Sequence, residues 1–235
     1  MKTLALAAAL SLTISSAIFA KDAKPVPKSY NAANQPADGS SNIDVAAIQK
    51  RIDELTDAIN REPQNDKYYG ARGQGYQRIG KLELALADLN KAIELNPRRQ
   101  AYYQVRGNLF AHQKRYSDCL TDYTKAIECG PPSHLLFLKQ GQAALQAGLL
   151  DLALASALKA QEFKDNDGDT LVLLGSVELM KGAYQDSLKH LTRAIEINPS
   201  DGGAFSIRGD TYTKLGQPEL AKKDKMRARQ LGYYL

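Results

Sequence analysis

Catalysis and metal binding need particular side chains at particular spacings, and few groups in this sequence qualify. The three histidines, His112, His134 and His190, fall at unrelated points along the chain. None has a serine, cysteine or carboxylate spaced as in a nucleophilic or metal-binding set. The run Asp165, Asn166, Asp167, Gly168, Asp169 has the alternating oxygens of a calcium loop. However, Thr170 stands where that loop needs glycine and Ser176 where it needs a bidentate glutamate, so the run reads as an acidic turn. The sequence therefore points to a protein that is not an enzyme and calls for no cofactor or metal. Cys119 and Cys129 fall on one predicted helix, about 15 Å apart at about 1.5 Å rise per residue. A disulfide needs Cα atoms within about 7 Å, so both are expected as unpaired, buried thiols.

A third set is more regular. Arg72, Arg106 and Arg208 are each followed sixteen residues later by an aspartate, namely Asp88, Asp122 and Asp224. Where the arginine gives way to Gln140 or Leu174, the aspartate gives way to Ser156 or His190. Residues that come and go together predict an ion pair between two helices. An anion site built on these arginines is the weaker reading, because each already has a partner.

The elements that position these residues follow from a 34-residue period. Gly73, Gly107, Gly141, Gly175 and Gly209 share one phase, and Ala92, Ala126, Ala160, Ala194 and Ala228 share another. Tyr69, Tyr103, Phe137, Leu171 and Phe205 hold a large apolar phase. Glycine inside a helix costs about 1 kcal/mol against alanine, so five in phase require a close helix–helix approach. The small residues Ala85, Cys119, Ala153, Ser187 and Ala221 would face them. Gly80, Gly148, Gly182 and Gly216 mark the turn inside each unit, and Pro97, Pro131 and Pro199 mark the turn out of it.

Ahead of the repeats the chain changes character twice. Residues 1–20 begin with Lys2, run without charge from Leu4 to Phe19 and end at Ala20, the layout of a cleavable secretory signal peptide. Residues 21–42 are rich in Pro, Gly, Ser, Asn and Lys and read as a flexible linker. From residue 43, Ile43, Ala47, Ile48, Ile52, Leu55 and Ile59 recur at helical spacing until Pro63. Residues 43–235 thus form the folded part. With 43% hydrophobic residues and 24% charged ones, the 235-residue chain can bury a real core. Its net charge of +5 is mild and its basic residues alternate with acidic ones, which argues against a nucleic-acid surface.

These units resemble tetratricopeptide repeats, most clearly over Tyr69 to Pro97, and the resemblance covers residue 66 to about 235 as five units. Ile43 to Pro63 resembles the second helix of a degenerate unit in front. The departures are Ala144 and Ala157 at aromatic places, Glu178 at a tyrosine place and Lys225 at an apolar one. The last helix is very polar and reads as a C-terminal cap.

The resemblance implies an all-α fold, a right-handed superhelix of antiparallel helix pairs, whose first helices line a concave groove. By position the groove would carry an amide-rich part, Gln74, Gln77, Gln104, Asn108, His112, Gln142 and Gln146, with Lys139 among them. Amides offer donors and acceptors to an extended peptide backbone. An apolar part would follow, of Leu135, Leu138, Leu145, Val172, Leu179 and Met180, open to an apolar anchor or an amphipathic helix unless these leucines are core. Some relatives clamp a C-terminal carboxylate with Lys and Asn. The matching places here hold Gly70, Gln74, Val105, Leu135 and Lys139, or, one unit further on, Gln104, Asn108, Lys139, Asp169 and Leu173; neither set gives the cluster, so no such clamp is predicted. The expected role is a protein- or peptide-binding scaffold in the periplasm or outside the cell, with no nucleic-acid partner and no stable membrane insertion after cleavage. The alternative is a non-catalytic accessory subunit of an envelope enzyme or secretion complex.

Overall fold

A computed structural model describes residues 44–234. The predicted signal peptide, the linker and Ile43 lie outside the described residues. Eleven α-helices account for the regular structure of the described part: α1 (Val45–Arg61), α2 (Asp66–Arg78), α3 (Leu82–Leu95), α4 (Gln100–His112), α5 (Tyr116–Cys129), α6 (His134–Gln146), α7 (Leu150–Phe163), α8 (Gly168–Lys181), α9 (Tyr184–Ile197), α10 (Gly202–Lys214) and α11 (Pro218–Gln230). Helices α2 to α11 pair in order as five units, with α1 in front.

Local sequence explains the boundaries. The Asp44 carboxylate accepts from the Ala47 N–H at 2.9 Å and starts α1. Asp167 and Asp201 cap α8 and α10 in the same way, at 3.1 and 3.0 Å. Within the units, Gly80, Gly148, Gly182 and Gly216 turn the chain with φ between 69° and 83°. The second unit has no glycine at that place, and Lys114 takes φ 58° instead. That conformation costs an L-residue about 1–2 kcal/mol.

The in-phase glycines mark close approaches. A Cβ on Gly175 would come within 2.5 Å of Leu191 Cγ, and one on Gly73 within 3.2 Å of the Ala85 carbonyl oxygen. The core runs continuously from Tyr103 on α4 to Ile207 on α10, and a smaller cluster of Ala85, Leu86, Leu89 and Leu109 serves the first unit. The centre of α8 is the most deeply buried stretch, with Leu173, Leu174 and Val177 wholly inaccessible. Each such side chain contributes about 1.5–3 kcal/mol on burial. In α1, Ile52, Leu55 and Ile59 are buried against α2, as a second helix without its own first helix would be.

Both cysteines are free thiols, as the helical separation required. Cys119 is buried, but Cys129, the last residue of α5, is only half-buried.

Candidate functional site

The arginines form joints and not an anion site. Arg72 donates from Nε and Nη2 to the Asp88 carboxylate, both at 2.8 Å, and from Nη1 to Thr56 Oγ1 at 3.1 Å. Arg106 does the same to Asp122 at 2.8 and 2.7 Å and to Asn90 Oδ1 at 2.6 Å. Arg208 reaches Asp224 at 2.7 and 3.0 Å and Thr192 Oγ1 at 3.2 Å. Each guanidinium therefore ties the second helix of its own unit to the second helix of the unit before. It also lies against two aromatic rings, such as Tyr103 and Phe110 for Arg106, both at 5.8 Å. Hydrogen bonding to aspartate raises the already high pKa of Arg72 and Arg106, which keeps the cation permanent.

The two irregular units replace this joint differently. In the third, Gln140 donates to Thr124 Oγ1 at 3.2 Å and accepts from Ser156 Oγ at 3.0 Å, so the same geometry runs without charge. In the fourth, Leu174 is apolar and fully buried. A His190 Nδ1–Glu178 pair at 2.7 Å links the helices there, with the acid now on the first helix and the base on the second.

The face opposite these joints holds the candidate site. Successive first helices line it, α2 touching α4, α6 touching α8 and α8 touching α10. A cavity of about 230 Å³ opens on it between α2, α4 and α6. Five residues expected from the sequence meet there: Gln77 from α2, Asn108 from α4, and Lys139, Gln142 and Gln146 from α6. His112, also expected, lies at its edge with Tyr116. The floor is Tyr123 of α5, only 2% exposed, whose hydroxyl donates to Asn108 Oδ1 at 2.8 Å. Burial pushes the Tyr123 hydroxyl far above its ordinary range and the neighbouring Cys119 thiol up to about 12. Both are neutral at physiological pH. Lys139 is then the one fixed charge among the lining residues, and no carboxylate accompanies it. Among the described residues, the side chains of Gln77, Lys139 and Gln142 form no hydrogen bond or ion pair. The wall thus offers unengaged amide donors and acceptors and one cation above a rigid aromatic floor.

Other expected residues lie elsewhere. Gln74 lines a separate cavity of about 420 Å³ between α1 and α2, beside Ile48 and Leu55. Gln104 is half-buried on α4, outside both cavities. The apolar part of the groove needs correction. Leu145 is fully buried and Leu179 is 7% exposed, and Leu138 and Val172 are buried with them. All four belong to the core, because α6 and α8 touch and close over these positions. Met180 packs against that core half-buried, and Leu135 alone of this group is well exposed, at 56%. Sequence reasoning missed Tyr123 as the floor, although its place, directly after the joint aspartate, holds the large apolar Leu89 and Leu191 in the first and fourth units.

The sequence model of the tetratricopeptide repeat family matches residues 71–134 and 138–202. Hsp70-Hsp90 organizing protein 2 of Arabidopsis thaliana is 37% identical over 75 residues, which are 32% of this chain and 13% of that protein. The chain thus spans only a small part of that relative's length. Among solved structures, YrrB, a TPR protein with an unusual peptide-binding site, shares 24% identity at a TM-score of 0.67, covering 75% of this chain and 91% of that one. A tetratricopeptide repeat protein from Parabacteroides merdae gives 20% identity and a TM-score of 0.69, covering 80% and 75%. MamA gives 18% and 0.63, covering 68% and 94%. The likeness to these three is one of fold. In-phase glycines, buried joints and helix pairs in series have here the sequence family they imply: this chain belongs to the tetratricopeptide repeat family.

Proposed function

We propose that this chain is a protein- or peptide-binding scaffold that holds an extended segment against α2, α4 and α6, and that it works in an exported compartment. One observation carries the binding reading. Gln77, Lys139 and Gln142 come from two units, converge on one cavity and have no polar partner among the described residues. Convergent polar groups with no protein partner of their own are free to meet a ligand in the cavity they line. An extended peptide backbone presents alternating N–H and C=O groups, which amide side chains match. No helix of the described residues is long and apolar enough to cross a membrane. The export reading rests on the sequence of residues 1–20.

Photo-crosslinking from position 142 in the producing cell tests the binding reading. The expected result is a discrete adduct that disappears when Lys139→Glu and Gln77→Ala are added, with the melting temperature unchanged. An adduct indifferent to both changes, or none at all, overturns it. Sequencing the N-terminus of the protein from the exported fraction tests the compartment. A start at Lys21 is expected, and a chain retained inside the cell with residues 1–20 intact overturns it.

A further inference from the structure

In each unit the second helix receives the first helix of the next unit on a fixed set of places. In α1 these places hold Ile52, which meets Gly75 of α2, with Leu55 and Ile59, and in α9 they hold Leu188, Leu191 and Ile195, of which Leu191 also packs on Gly175 of its own unit. In α11 the same three places hold Lys222, Lys225 and Arg229. No described helix follows α11. The trailing chain turns the other way, with the Tyr233 N–H bonded to the Ala228 carbonyl at 2.9 Å and Tyr233 close to Gly202. The slot that a following helix would fill is therefore uncovered by the described residues. It is an open cavity of about 890 Å³ with an apolar floor that includes Ala221, Pro218 and Met226, the last 51% exposed.

An end repeat needs a wet face, but solubility alone is met by charges of mixed sign. This face has one sign. Lys225 pairs with Asp210 at 2.9 Å, and its stem lies over Gly209. Lys222 and Arg229 have no ionic or hydrogen-bonded side-chain partner among the described residues. The fourth place of the slot also differs. There Thr56, Asn90, Thr124 and Thr192 bind the incoming arginine or glutamine of the next unit, and α11 has Met226. The slot is thus shaped for a helix. Its fourth place is apolar, as is Leu158 of α7 ahead of the unit that brings in Leu174, and it places cations where apolar side chains would pack.

We infer that the end slot of α10 and α11 docks an acidic amphipathic α-helix from a partner protein. Such a helix would lay a small or apolar residue on Met226 and Ala221 and its carboxylates beside Lys222 and Arg229. This surface is separate from the cavity between α2, α4 and α6, and the inference does not depend on the peptide reading of that cavity.

Fluorescence anisotropy of the full chain with two labelled 16-residue helical peptides tests it. One carries a leucine stripe flanked by glutamates, and its twin has glutamine for every glutamate. The acidic peptide is expected to bind, with the twin at least about tenfold weaker and added salt weakening the acidic one. The double variant Lys222→Glu and Arg229→Glu should abolish binding with unchanged thermal melting, as both residues are exposed. Lys139→Glu, in the other cavity, should leave it unchanged. Equal binding of the twins, or binding that survives the double variant, overturns the inference. So does a preference for phosphatidylglycerol vesicles over the peptide, which would make the slot a membrane contact. Self-association in sedimentation that the double variant removes also overturns it, since the occupant would then be a second copy.

Discussion

The first, second and fifth units differ from the third and fourth in how their helices are joined. The former use a half-buried guanidinium between two second helices, clasped by a carboxylate and flanked by aromatic rings. The latter use a neutral Gln140–Ser156 bond or an inverted Glu178–His190 pair, and they carry most of the continuous core. The repeat therefore demands a bridge at this place and not a particular residue. Where the bridge loses its charge, apolar burial replaces it. A buried ion pair is little better than well-packed apolar side chains of similar volume, so either solution holds the fold. The difference emerges when one partner is removed.

Asp122→Ala should break the comparison most sharply. It leaves the Arg106 guanidinium facing an empty place, and urea unfolding should show a loss of about 3–5 kcal/mol. A loss below about 1 kcal/mol would mean the charged joint matters no more than the neutral one. On the apolar side, Leu174→Ala should cost about 2–5 kcal/mol through the cavity it leaves, since that side chain is fully buried. Its near equality with Asp122→Ala would support the view that packing substitutes for charge. Ser156→Ala removes only a neutral donor and should cost about 1 kcal/mol by the same measurement. Lys114→Gly should act in the opposite direction, raising stability by about 1 kcal/mol, because it relieves the one positive φ held by a non-glycine residue among those described. The smallest expected effect is a null one. With its pKa near 12 and no exposed surface, Cys119 should resist iodoacetamide in the folded protein at pH 8, whereas half-buried Cys129 should react. Mass spectrometry of labelled peptides reads both; modification of Cys119 at the rate of Cys129 would show that α5 opens.

The period, the helix pairs and the Arg–Asp joints were legible because each depends on a fixed count of residues. Sixteen residues take the chain from one helix to its partner, wherever the unit sits. The ties back to Thr56, Asn90 and Thr192 obey the same count in reverse and were within reach of the same arithmetic. The Glu178–His190 pair was not, because it occurs once and a single instance has no phase. More than half of the candidate cavity was also visible, in Gln77, Asn108, His112, Lys139, Gln142 and Gln146, since a few recurring places on the first helices share one face. Leu145 and Leu179 share that face too, yet are core. Whether a leucine on a concave face is open or covered depends on how tightly successive first helices close, and that closure is set by many side chains at once.

The joints have one more consequence. Each guanidinium is a rigid planar spacer whose nitrogens reach one second helix on one side and the preceding second helix on the other. The step from unit to unit is thereby gauged by a part of fixed size, much as a hinge plate sets the angle between two panels. The curvature of the ligand-facing surface is then written on side chains that never meet the ligand. Exchanging Arg106 for lysine keeps the charge and discards the gauge, so the surface between α2, α4 and α6 would relax to another radius with every one of its own residues in place.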